Sequence, residues 1–336
     1  MPPTHMALAD AFAELLAQPS LSPGIGFRAR RVAGMEAHRI GVSPAGSPAL
    51  LISALAPESQ RRPPPMELEH LSIQYHASCR LVGDDGSSSE EPFTVLQLDG
   101  VDGALVDHFL RVGATVLTLL GPQPRLSEVE GAIGAFVELF RALGLPPRKS
   151  VQGLWAEVFV AANASDPAVL VTAWHATPED RYDFHAGGQR LEVKSVGGRA
   201  RRHRFSFEQL QPPPDTSVMI ASVFVERTGG GLSLRSLLDR LSTRLAGHPH
   251  LQLRAEQVVS STLGQALPHA VSAAFDAELA AHSLTFYPHH EVPRLLSLPT
   301  GVTDVTFTAD LSGSTAAEPS ALSTGLFAAS RPRPTG

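Results

Sequence analysis

Two adjacent glycines, Gly187 and Gly188, sit between an acidic residue and a strand-forming run, and they dictate how the chain turns there. The stretch reads Asp183-Phe184-His185-Ala186-Gly187-Gly188-Gln189-Arg190-Leu191-Glu192-Val193-Lys194. A Gly-Gly pair suits a hairpin turn that needs positive φ. Leu191, Val193 and Val196 suit a strand after it. Side chains alternate across a strand, so Glu192 and Lys194 point to one side, with Cα atoms roughly 6.6 Å apart. The hairpin returns Asp183 beside them. Two carboxylates and one ammonium thus converge on a small patch of sheet.

That patch has a chemical use. Two carboxylates can hold a hard divalent cation such as Mg²⁺, which prefers oxygen ligands. The cation makes a bound water more acidic and neutralises charge building on a phosphate. A lysine beside it can orient that water or stabilise the phosphate. Such a set of groups hydrolyses phosphodiesters.

The surrounding pattern is mixed α/β. Ser150 to Ala162 predicts a helix carrying Leu154, Trp155, Val158 and Phe159, with Glu157 among them. Strands are expected over Val169–Ala173, around Asp183, around Glu192 and over Val218–Val225. A short helix is expected from Ser206, broken by Pro212-Pro213-Pro214. Ser127-Glu128-Val129-Glu130 reads as a capping box opening another helix that ends at Gly144. Met6 to Leu16 reads as an amphipathic helix, and residues 26–120 read as mostly β, with Gly113 to Leu120 a strand or short helix. Leu232 to Leu245 reads as a helix, and Glu256 to Ala281 as helical with a break at Pro268. These elements divide the chain into an N-terminal β-rich domain (1–122), a core (123–228), a mainly helical region (229–311) and a flexible tail (312–336) rich in Ser, Ala, Pro, Thr and Gly.

Several segments together resemble a known group. Glu157, Asp183 and Glu192-Val193-Lys194 are similar to the PD-(D/E)XK nuclease superfamily. With Gly153-Leu154-Trp155-Ala156-Glu157, Trp174-His175 and Phe205-Ser206-Phe207-Glu208-Gln209-Leu210, the chain resembles the bacterial PD-(D/E)XK motif proteins, most clearly over residues 150–225. Tyr182 stands where the name has proline. The resemblance implies a restriction-endonuclease-like αβββαβ core and a DNA endonuclease dependent on Mg²⁺ or Mn²⁺. Asp183 and Glu192 would ligate the metal, Glu157 would assist from the helix, and the Val193 carbonyl would add a ligand. Lys194 would activate water or stabilise the phosphate. The resemblance also implies a restriction or phage-defence setting, with ATPase, helicase-like or methyltransferase partners. A catalytically silent scaffold or nucleic-acid-binding subunit is the alternative.

Each of these residues also has a plain structural reading. Asp183 alone is a turn residue, Glu192 and Lys194 alone are exposed strand positions, and Glu157 alone belongs to a solvated helix face. Gln209 either completes a capping box with Ser206 or contacts DNA or the lysine. Arg199, Arg201, Arg202, His203 and Arg204 either keep a loop soluble or grip a DNA backbone. His175, His185 and His203 read as structural, though His203 among arginines suits a phosphate contact. Arg28, Arg30 and Arg31 form a second basic cluster.

Composition sets limits. Net charge is −6, so any nucleic-acid contact must use a local basic patch. The hydrophobic share of 43% supplies an ordinary core. One cysteine, Cys79, excludes an intrachain disulfide and cysteine-rich zinc sites. His248-Pro249-His250 and His289-His290 lack the partners of a zinc site. There is no P-loop and no Gly-x-Ser-x-Gly elbow. No secretory pattern or membrane-spanning run is expected, which makes a cytoplasmic location the default. A homodimer is compatible with the sequence.

Overall fold

A computed structural model describes residues 3–18, 26–55, 63–82, 88–175 and 180–333. The chain forms two compact units, Met1–Pro146 and Pro147–Gly336.

The first unit begins with helix α1 (His5–Leu16), capped by the Thr4 hydroxyl. Six strands follow: β1 (Phe27–Val32), β2 (Met35–Val42), β3 (Pro48–Ile52), β4 (Met66–Glu67), β5 (Leu71–Val82) and β6 (Ser88–Leu98). Their order is β1-β2-β3-β6-β5-β4, and β1 also pairs in parallel with β5, so the sheet curls back on itself. Ala49, Leu51, Cys79, Leu81, Phe93 and Val95 fill one face. Leu50, between two of them in β3, points the other way and abuts Gly113 of helix α2 (Gly103–Leu120), where an added Cβ would meet it at 2.4 Å. Helix α3 (Leu126–Ala142) packs on α2 through Phe109, Phe136 and Phe140.

Two sequence expectations change here. The helix expected only from Gly113 starts ten residues earlier, because Asp102 caps it by accepting from the Ala104 and Leu105 N–H groups. Ser127 does not cap α3. Its Glu128 carboxylate instead accepts from the Arg125 N–H at 2.7 Å, which moves the cap two residues upstream. Helix α2 is long and apolar enough to cross a membrane, but Phe109, Leu110, Val112, Val116 and Leu117 are buried within the unit.

The second unit carries helix α4 (Val151–Asn163), helix α5 (Pro167–Ala173), strands β7 (Phe184–Ala186), β8 (Gln189–Val196) and β9 (Arg202–Ser206), a 3₁₀ turn at Phe207–Leu210, and strand β10 (Ser217–Phe224). After these come β11 (Arg227–Ser233), α6 (Leu234–Arg244), α7 (Pro249–Leu263), α8 (Leu267–Ala270), β12 (Ala274–Phe275) and α9 (Ala277–Ser283). Strands β13 (Thr285–Pro288) and β14 (Thr306–Asp310) and helix α10 (Gly325–Ser330) complete it. The central sheet has the order β13-β10-β8-β7, with β8 and β10 parallel and the outer pairs antiparallel. Strand β9 leaves this sheet and pairs with β14.

The Gly-Gly turn forms as expected: Gly187 has φ +53°, and a Cβ on Gly188 would lie 2.9 Å from the Asp215 carbonyl oxygen. The strand expected over Val169–Ala173 is instead helix α5. Pro167 occupies its first turn, and the Asp166 carboxylate accepts from the Ala168 and Val169 N–H groups, which outweighs the β-branched run. From residue 229 the chain carries helices α6 to α9, with most of β11 and strands β12 to β14 among them. The segment from 312 is not a loose tail. Leu322, Leu326, Phe327 and Ala329 are buried, and the Ser165 N–H donates to the Arg331 carbonyl at 2.7 Å.

Candidate metal centre

Helix α4 is apolar around its whole circumference, and every residue from Leu154 to Ala162 is buried. Ser150 starts it by accepting from the Gly153 N–H at 3.1 Å. Glu157 is the one carboxylate in that run and is 2% exposed. A buried carboxylate needs partners. Its Oε2 accepts from Trp174 Nε1 at 3.0 Å and its Oε1 from Lys149 Nζ at 2.7 Å.

The β7–β8 hairpin supplies the next groups. Phe184 pairs with Leu191, so Asp183 falls opposite Glu192 on the following rung. Asp183 is 5% exposed. Its Oδ2 accepts from the Val193 N–H at 2.7 Å and its Oδ1 from Lys149 Nζ at 2.5 Å. On β8, Glu192 and Lys194 share a face as alternation requires, with Lys194 Nζ 2.7 Å from Glu192 Oε1. That same oxygen accepts from Gln209 Nε2 at 2.8 Å. Glu192 Oε2 is buried and, among the described residues, has no hydrogen-bond partner. Lys194 lies 5.0 Å over the Phe205 ring.

Gln209 combines its two expected readings. Its N–H donates to the Ser206 hydroxyl at 3.2 Å, and its Oε1 accepts from the Ser206 N–H at 3.2 Å, which closes the capping box. The same side chain bonds Lys194 and Glu192. His175, read from the sequence as structural, lies at the cluster. Its Nδ1 is 4.0 Å from Glu157 Oε2, and ligand atoms of Glu157, His175 and Asp183 all lie within 4.8 Å of one another. Lys149 was missed altogether. It and Lys194 are the only two lysines in the chain, and that scarcity was the signal available.

The electrostatics describe a centre short of positive charge. Burial, together with the Asp183 charge, raises Glu157 to about 8 despite Lys149. Burial and Asp183 likewise raise Glu192 to about 7 against the pull of Lys194. Burial also opposes ionisation of Asp183, but the Lys149 ammonium and the Val193 N–H override it and hold this carboxyl below the usual range. Burial and the Lys149 charge lower His175, whose Nδ1 lies 3.3 Å from the Asp183 carbonyl oxygen. Three buried carboxylates facing two ammonium groups suit an added hard cation. The partnerless Glu192 Oε2 is an oxygen such an ion would use.

The basic run is divided by the alternation of β9. Arg201 turns inward and donates to the Ser222 carbonyl and hydroxyl, the Ser283 carbonyl and the Thr285 hydroxyl, with Phe224 beneath it at 4.6 Å. His203 is 3% exposed and bonds the Ser222 hydroxyl at 2.7 Å. These two hold the sheet together and do not form part of an open basic surface. Arg199, Arg202 and Arg204 are exposed, with Arg202 paired to Asp310 and Arg204 to the Thr306 hydroxyl.

A family model described as "Putative PD-(D/E)XK family member, (DUF4420)" matches residues 8–312. The chain belongs to this family. Membership suggests a nuclease-like function, and PD-(D/E)XK families typically use divalent metals. The sequence carries Asp183 and Glu192-Val193-Lys194 within the matched residues. No curated protein and no solved structure matches the chain significantly.

Proposed function

We propose that this protein is a Mg²⁺-dependent DNA endonuclease with a restriction-endonuclease-like core, acting in restriction or phage defence. The observation that carries the reading is the convergence of Asp183, Glu192 and Lys194 on one buried patch, with Glu192 Oε2 left unpartnered. Asp183, Glu192 and Glu157 would hold the metal, with the Val193 carbonyl added from the same strand edge as its N–H. When bound, the metal supplies charge neutralisation at the phosphate and a more acidic water. The protein's own groups do the rest. Val193 fixes Asp183 through Oδ2, and Gln209 fixes both Glu192 and Lys194. Lys194 offers a positive charge where a phosphate oxygen becomes more negative. Burial of the carboxylates keeps competing water from them. Exposed Arg199, Arg202 and Arg204 would bind backbone phosphates.

The test is nicking of supercoiled plasmid by purified protein in Mg²⁺ and in EDTA, with single-stranded RNA run in parallel. Wild type should nick DNA only with metal. Asp183→Asn and Lys194→Met should each lose at least about 100-fold, the size of effect that removing one charge-stabilising group has. Unchanged cleavage by either variant would discard the assignment. Metal-dependent cleavage of RNA alone would redirect the substrate. No cleavage and no metal binding would favour the silent scaffold.

A further inference from the structure

The sequence holds 25 arginines and 2 lysines, and both lysines lie at this centre. Arginine is a planar fork suited to bidentate pairing, whereas lysine is a compact point charge on a flexible stem. This chain uses arginine for every cation elsewhere and lysine only where a small cation sits among carboxylate oxygens.

The oxygens around Lys149 can be assigned one at a time. Asp183 Oδ2 is taken by the Val193 N–H and Glu157 Oε2 by the Trp174 indole. The oxygens left for an incoming cation are Asp183 Oδ1, Glu157 Oε1 and Glu192 Oε2. Lys149 holds the first two, at 2.5 and 2.7 Å. A divalent ion sharing both oxygens would bring like charges within about 4 Å in a poorly screened site. Lys149 can yield. It lies in the non-helical segment just before the Ser150 cap, and its side chain is 35% exposed.

We propose that Lys149 is a resident counter-cation, which holds Glu157 and Asp183 in the metal-free protein and must leave their oxygens when a divalent ion takes them. The proposal rests on the metal-centre reading above. Metal binding is then an exchange of one cation for another. The Lys149 ammonium passes into solvent, and the measured affinity is weakened by the contacts it gives up. Lys149 is accordingly a positioning residue that acts through the two carboxylates.

Calorimetric titration with Mn²⁺ tests this on full-length wild type, Lys149→Met and Asp183→Asn, alongside unfolding temperatures in EDTA. Lys149→Met should bind Mn²⁺ at least about tenfold more tightly than wild type, since the competitor is gone. In EDTA it should melt below wild type, and Mn²⁺ should raise its melting temperature by more. Asp183→Asn should bind neither tightly nor stoichiometrically. If Lys149→Met binds no more tightly while wild type binds and Asp183→Asn does not, the exchange is overturned and the metal centre stands. If none of the three binds, both readings fall. A second readout needs no destabilised variant. Wild type labelled with ¹³C at lysine Cε gives two side-chain signals, assigned with Lys149→Arg. Saturating Mg²⁺ should move the Lys149 signal to the position of a solvated lysine, and a signal that stays in place overturns the proposal.

Discussion

Gln209 makes four side-chain hydrogen bonds, to Arg181, Glu192, Lys194 and Ser206. Replacing it with Met keeps the volume and removes all four. Gln209→Met should lower stability by roughly 1–3 kcal/mol in urea unfolding, because a cap and a buried carboxylate's partner go together. It should also lower nicking activity with little change in DNA affinity, since Lys194 loses one of its two anchors. His203 makes a separate prediction in pH. Burial, with the Lys194 and Arg201 charges, lowers it from 6.5 to about 4. The folded protein therefore resists protonation that the unfolded chain accepts. Stability should be fully present above pH 6.5 and should fall as pH drops from 6.5 to 4, by up to about 3 kcal/mol for this one group. Urea midpoints for His203→Gln should be flatter than wild type across that window.

Helix α10 is a better test of the fold than its six residues suggest. Phe327 is 4% exposed, and its N–H meets the Gln189 side chain at the start of β8. Phe327→Ala should cost about 3–5 kcal/mol, measured by denaturant unfolding, if this segment belongs to the core. A loose tail would give almost no change. The hairpin, the start of a helix near Ser150 and the Ser206 capping box could all be read from sequence because each depends on neighbours within a few positions. Helix α5 could not, since Val169-Leu170-Val171 looks like a strand until Asp166 and Pro167 are read as its start. Strand β13 was hidden for another reason. Thr285-Phe286-Tyr287-Pro288 is short and ends in proline, and only its pairing with β10 makes it a strand. Lys149 and His175 reach the site through tertiary placement, which no local spacing records.

At the scale of the whole chain, every side chain assigned to the centre lies between Lys149 and Gln209, inside the second unit. Residues 147–336 expressed alone should therefore unfold cooperatively and bind Mn²⁺ as the full chain does. Calorimetry on the fragment checks this, and a fragment that unfolds cooperatively but does not bind would overturn it. The mixed α/β class was clear from the sequence because helical and strand periodicities alternate along it. The division at Pro146–Pro147 was not, because α3 carries an apolar stripe that suits either neighbour and only its packing on α2 assigns it to the first unit. The scarcity of lysine has one practical outcome. Apart from an α-amino terminus, primary amines occur only at Lys149 and Lys194, so coupling this protein to a biosensor surface through its amines would attach it by the groups the experiment means to leave free.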